Sequence, residues 1–108
     1  MEVVILEYLD ILNASPYRRW VDRLPAATAA IIATAVYRLS AGNGSSVKGV
    51  GSGVYEYRID RGPGYRIYFG KDGDQLVILL GGGTKQRQSA DIEVARARWA
   101  DYKQRKRG

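Results

Sequence analysis

Lys48, Arg58, Arg66 and Lys85 are the residues best suited to chemistry in a 108-residue chain that has no histidine and no cysteine. Arg58 and Arg66 alternate with apolar residues in the runs Val54-Tyr-Glu-Tyr-Arg-Ile-Asp60 and Tyr65-Arg-Ile-Tyr-Phe69. Like charges facing each other across a strand pair are unfavourable unless something anionic lies between them. The absence of cysteine and histidine removes disulfides and any ordinary zinc site. Chemistry must therefore come from Lys, Arg, Tyr, Ser/Thr or carboxylates acting on an anionic partner, and no cofactor is expected.

The charge distribution points the same way. Residues 1–40 carry four cations and four anions, residues 41–84 five and four, and residues 85–108 eight and three. Five of the six net positive charges thus lie in the last segment. Nucleic acid is the commonest partner for such a surface, and a solvated basic helix is the plainer alternative. The length fits a single domain, 1–108, with one modest core. No apolar run reaches membrane-spanning length, and the acidic, aromatic N-terminus is unlike a signal peptide, so a cytoplasmic protein is expected.

The elements that must position these cations can be read from spacing. Val3-Val-Ile-Leu6 reads as a short strand. Ser15 as N-cap and Pro16 at the first helical position start a helix with Tyr17, Trp20, Val21 and Leu24 on its apolar stripe. Pro25 restarts the chain into a second helix, with Ile31, Ile32, Ala35, Val36 and Leu39 on its stripe and Gly42 as its stop. The pair reads as an antiparallel helical hairpin. Residues 42–53 are Gly/Ser-rich and hold Lys48. In 54–60, Tyr55, Tyr57 and Ile59 share one face; in 65–69, Tyr65, Ile67 and Phe69 share one face. Gly62-Pro63-Gly64 joins them as a β-hairpin. Registers that bury Ile59 with Ile67 place Arg58, Arg66 and Tyr68 together on the opposite face. After the Asp72-Gly73 turn, Leu76-Val-Ile-Leu-Leu80 reads as a strand covered on both faces, ending in Gly81-Gly82-Gly83-Thr84-Lys85. Ser89 is a candidate cap for a last helix, with Asp91 and Glu93 in its first turn and Ile92, Ala95, Trp99 and Tyr102 as its apolar stripe. Lys103-Gln-Arg-Lys-Arg107 looks too polar to pack. The expected fold class is α+β, with helices grouped at one side of an antiparallel sheet.

The ordered set of motifs resembles the RelE/ParE toxin superfamily, and within it the HigB-like addiction module killer protein group of type II toxin–antitoxin systems. The residues that carry the resemblance are Arg38-Leu39 with Gly42-Asn43, Lys48-Gly-Val-Gly51, Gly53-Val-Tyr-Glu-Tyr-Arg58, Gly62-Pro-Gly-Tyr-Arg-Ile-Tyr-Phe-Gly70, Leu79-Leu-Gly-Gly82, Lys85, Gln88 and Asp91-Ile92. No single piece is specific, but the spacing matches over more than fifty residues.

The resemblance implies a translation-inhibiting toxin: a ribosome-dependent mRNA endonuclease (an mRNA interferase) neutralised by a cognate antitoxin. That antitoxin is expected to be a HigA-like helix-turn-helix protein in a hetero-oligomer with the toxin. A DNA gyrase poison of the ParE kind, or a non-catalytic RNA- or partner-binding module, is the alternative. The resemblance also places Lys48, Arg58, Arg66 and Lys85 at basic motif positions of the active face, and Gln88 and Asp91 in the final motif. Two features depart from it. The branch has an acidic residue before the lysine matching Lys85, where this chain has Thr84. The C-terminal tyrosine of RelE itself has no counterpart in Gln88-Ser-Ala-Asp-Ile92.

RNA cleavage without a metal uses the ribose 2′-OH as nucleophile. It needs a base for that hydroxyl, cations for charge developing on phosphate, and an acid for the leaving 5′-oxygen. The base would be Lys48 or Lys85, with a pKa lowered by neighbouring arginines, or a carboxylate. Arg58 and Arg66 are permanently charged forks suited to phosphate. Tyr68 is a candidate to stack on a base, and Lys103 and Arg105 are candidates for further RNA contacts. Each has a plainer reading: ion pairs of Arg58 and Arg66 with Glu56 and Asp60, solvated lysines, a half-buried sheet tyrosine, and Asp91 as a helix-start residue. A Walker phosphate loop is rejected, since Lys85 is followed by Gln86.

Overall fold

The structure is a computed structural model that describes residues 3–42 and 46–108. Asn43, one of the residues carrying the resemblance, lies outside them. The elements run β1 (Val4–Glu7), α1 (Pro16–Asp22), α2 (Ala26–Ser40), β2 (Val47–Gly51), β3 (Val54–Ile59), β4 (Tyr65–Lys71), β5 (Leu76–Thr84) and α3 (Gln88–Arg107), with a 3₁₀ turn at Lys85–Arg87. The expected α+β class is what is found.

The two N-terminal helices form where their local signals lie. Ser15 Oγ accepts a hydrogen bond from the Arg18 amide at 3.0 Å, and Pro16 occupies the first turn of α1. Gly42, at φ +86°, ends α2 in the left-handed conformation that glycine tolerates. Tyr17 and Val21 of α1 and Ile32, Ala35 and Leu39 of α2 pack on Tyr57, Ile59, Ile67, Phe69, Val77 and Leu79.

The five strands form one sheet in the order β1-β5-β4-β3-β2. It is mixed rather than antiparallel, because β1 runs parallel to β5, pairing Val4 with Leu76 through Glu7 with Leu79. The helices are not grouped on one side either. Ala95 and Trp99 of α3 pack on Val54, Tyr68, Ile78 and Leu80, the face opposite α1 and α2. Two covered faces explain why β5 is apolar at consecutive positions. Burying a side chain such as Ile67 or Phe69 contributes on the order of 2 kcal/mol, and both are fully inaccessible.

Three segments are longer than their sequence signals. Lys48 lies on β2, not in a loop. Strand β5 continues through Gly81, Gly82 and Gly83. These glycines supply no side-chain signal because neighbouring helices occupy the space: a Cβ on Gly82 would run into the Trp20 ring, and one on Gly83 into the Asp91 carboxylate. Ser89 lies inside α3 and does not cap it; Arg87 holds the cap position without a side-chain hydrogen bond. The basic end of α3 is helical to Arg107 and partly tethered, by Lys106 to Asp72 at 2.5 Å and by Arg105 to Asp101 at 2.6 Å. No helix among the described residues is long and apolar enough to cross a membrane.

Candidate functional site

Register builds the site. β3 and β4 pair Arg58 directly with Arg66 and Tyr57 with Ile67, so Ile59 and Ile67 share the α1/α2 face and both arginines fall on the other. The same ladders align Lys48, Glu56 and Tyr68 in one cross-strand row, and Arg58, Arg66 and Gly83 in the next. Three strands thus bring two rows of polar side chains to the face where α3 begins.

Glu56 is the centre of this cluster. Its carboxylate is 1% exposed, yet three groups meet it. Gln88 Nε2 donates a hydrogen bond to Glu56 Oε2 at 2.8 Å. Arg66 Nε lies 3.6 Å from the same oxygen, and Lys48 Nζ lies 3.8 Å from Oε1. Both distances are ion-pair contacts rather than hydrogen bonds, and Glu56 Oε1 has no hydrogen-bond partner among the described residues. A buried carboxylate needs such partners, since an unpaired buried charge is very costly.

The four cations differ sharply in access. Arg66 is 6% exposed, and its Nη1 donates to the Gly64 carbonyl at 3.0 Å. That carbonyl also accepts the Lys85 amide at 2.8 Å, which fixes the start of the Lys85 turn beside Arg66. The Lys48 and Arg58 side chains are 59% and 50% exposed, and Lys85 is exposed. Arg58 pairs with Asp60 at 3.5 Å. The ion-pair reading is therefore realised for both arginines, with partners Glu56 for Arg66 and Asp60 for Arg58. The ion-pair partner of Lys48 is the Glu56 carboxylate.

Of the remaining candidates, Gln88 belongs to the cluster. Tyr68 does not offer a stacking face: it is 1% exposed within the α3 core, its hydroxyl has no hydrogen-bond partner among the described residues, and burial, with the Glu56 and Asp91 charges, pushes its pKa up. Asp91 is partly buried against Gly83, and burial raises its pKa against the opposing pull of Arg87 and Arg98. Lys103 and Arg105 take no part in the cluster. Lys103 Nζ sits 5.8 Å over the Trp99 ring, and Arg105 is held by Asp101 and the Leu9 carbonyl.

In the sequence, Glu56 lies between Tyr55 and Tyr57, where an acid reads as a simple counter-ion. The available signal was its parity: it shares a strand face with Arg58 and stands opposite the lysine strand.

The arrangement offers an anion the accessible cations Lys48, Arg58 and Lys85 beside a buried carboxylate. No family model matches the chain. A Haemophilus influenzae protein, itself uncharacterized, is 38% identical to it over 89 residues, which span 82% of this chain and 90% of that protein.

Proposed function

We propose that this chain, which belongs to the same family as the Haemophilus influenzae protein, is a toxin of the RelE/ParE kind that cuts mRNA in the cytoplasm and is held in check by an antitoxin. The observation that carries the reading is the convergence of Lys48, Arg66 and Gln88 on buried Glu56, with Arg58 beside Arg66.

In this mechanism Lys48 swings toward the phosphate and uncovers Glu56 Oε1, which is buried in the resting chain, so that its lone pair accepts the proton of a ribose 2′-OH. The 2′-oxygen bonds to phosphorus and the P–O5′ bond breaks. The leaving oxygen takes a proton from the Lys48 or Lys85 ammonium, giving 2′,3′-cyclic phosphate and 5′-hydroxyl ends. Lys48 and Arg58, the accessible cations, stabilise the charge that builds on phosphate, a contribution commonly on the order of a hundredfold in rate per group. Arg66 and Gln88 are positioning residues: both touch Glu56, Arg66 from a buried position and Gln88 from a partly exposed one.

The test is induction of the chain in cells followed by mapping of RNA 5′ ends. Cuts confined to translated mRNA support the nuclease. Intact mRNA with a DNA-damage response refutes it and favours a gyrase poison. Unimpaired growth refutes both toxin readings.

A further inference from the structure

Beside the Glu56 cluster, a groove of about 550 Å³ opens between α1 and α3 along the glycine end of β5. Arg19 of α1 and Arg23 just past its end reach it from one side, and Arg87 just before α3 and Arg98 of α3 from the other; Asp91 is the one acid in its wall among the described residues. Four guanidinium groups, two at each side of the groove, thus share a wall with one carboxylate. Arg19 is partly compensated by Asp10 at 3.3 Å, and Arg98 Nη1 donates to the Leu80 carbonyl at 2.8 Å. Arg23 and Arg87 are exposed, and among the described residues neither makes a salt bridge or a side-chain hydrogen bond; Arg87 acts on Asp91 only through its charge. Converging like charges raise the energy of the empty groove and are relieved by an anion. Arginine forks match phosphate oxygens in particular.

Tyr68 connects this groove to the candidate site: its ring stands in the groove wall, and Glu56 is its cross-strand neighbour. A polyanionic strand with one phosphate over Lys48 and Arg58 can continue past the Lys85 turn into the groove. We infer that Arg23 and Arg87, supported by Arg19 and Arg98, form a second phosphate subsite that grips the backbone of single-stranded RNA flanking the cleaved bond. This rests on the mRNA-cleaving reading for the identity of the strand, and goes beyond it in naming the groove.

The test uses the intact chain and a labelled single-stranded RNA dodecamer, with binding followed by fluorescence anisotropy across a salt series. The double variant Arg23→Gln/Arg87→Gln is compared with Arg38→Gln/Arg107→Gln, which removes the same charge outside the groove. The groove variant should bind about tenfold or more weakly than the control, with a salt slope shallower by about two. Equal affinity of the two variants, or no measurable binding by the unaltered chain, overturns the subsite. Cleavage of mRNA by the unaltered chain in cells is scored separately, so the subsite can fail while the toxin reading stands, and the reverse.

Discussion

Gln88 Nε2 donates to Glu56 Oε2 at 2.8 Å across thirty-two residues of sequence, joining the first turn of α3 to the middle of β3. This bond makes the helix that covers the sheet part of the same cluster that gathers the cations. Fold and site are therefore coupled, and substitutions in the cluster divide into those that disturb stability and those that disturb only chemistry.

Arg66 belongs to the first kind. Its guanidinium is buried against buried Glu56, so Arg66→Ala strands a carboxylate in the interior. Removing one member of a buried pair costs about 3–5 kcal/mol. Urea unfolding should show that loss, and any fall in toxicity would be confounded by it. Arg66→Lys keeps the charge and should recover part of the stability without the fork to Gly64.

Lys48 and Arg58 belong to the second kind. Both side chains are half exposed or more; the Arg58–Asp60 pair lies at the surface and is worth little, and Glu56 keeps Arg66 and Gln88 when Lys48 is removed. Lys48→Ala/Arg58→Ala should lower cleavage by two to four orders of magnitude, at about a hundredfold per group at the upper end, with a urea midpoint close to that of the parent. A midpoint collapse would show that they are structural.

The parity that set Arg58 beside Arg66 was legible because strands have a period of two: Tyr57, Ile59 and Ile67 could be buried together in only one way. The helix stripes through Ile32 and Trp99 were legible for the same kind of reason. The parallel pairing of Val4–Glu7 with Leu76–Leu79 was not, since it joins segments seventy-two positions apart and leaves no local trace. Nor was the face on which α3 lies, because an apolar stripe does not say which side of a two-faced strand it covers. Gly81–Gly83 read as the end of a strand because the packing at Gly82 and Gly83 is supplied by Trp20 and Asp91 from other elements.

Gly82→Ala tests that packing. The added methyl would meet the Trp20 ring, and overpacking of this kind costs about 1–3 kcal/mol. Thermal unfolding should show the drop, and Trp20→Ala in the same chain should relieve part of it.

Asp91 gives a pH signature. Burial raises its folded-state pKa, so the protonated carboxyl is the better-tolerated form. Its contribution is fully present below the unfolded-state pKa and is lost as pH rises through the folded-state value. Asp91→Asn should therefore stabilise the chain at neutral pH and have little effect in acid, in denaturant titrations run at both.

Asp72 has the opposite sign. Lys106 and then Tyr102 hold its pKa below the usual carboxylate value, so its contribution is present above the unfolded-state pKa and lost as pH falls through the folded-state one. Asp72→Asn should speed amide exchange in the last turns of α3 at neutral pH, leaving the Glu56 end protected.

The most direct measurement of the central claim is 5′-end mapping of total RNA after induction of the chain and of Lys48→Ala/Arg58→Ala. The parent should produce cuts within translated messages, ending in 5′-hydroxyls, and the double variant should lose them while accumulating as folded protein. Undiminished cuts from the double variant, or a parent that leaves every message intact, would contradict the assignment of this sheet face to RNA cleavage.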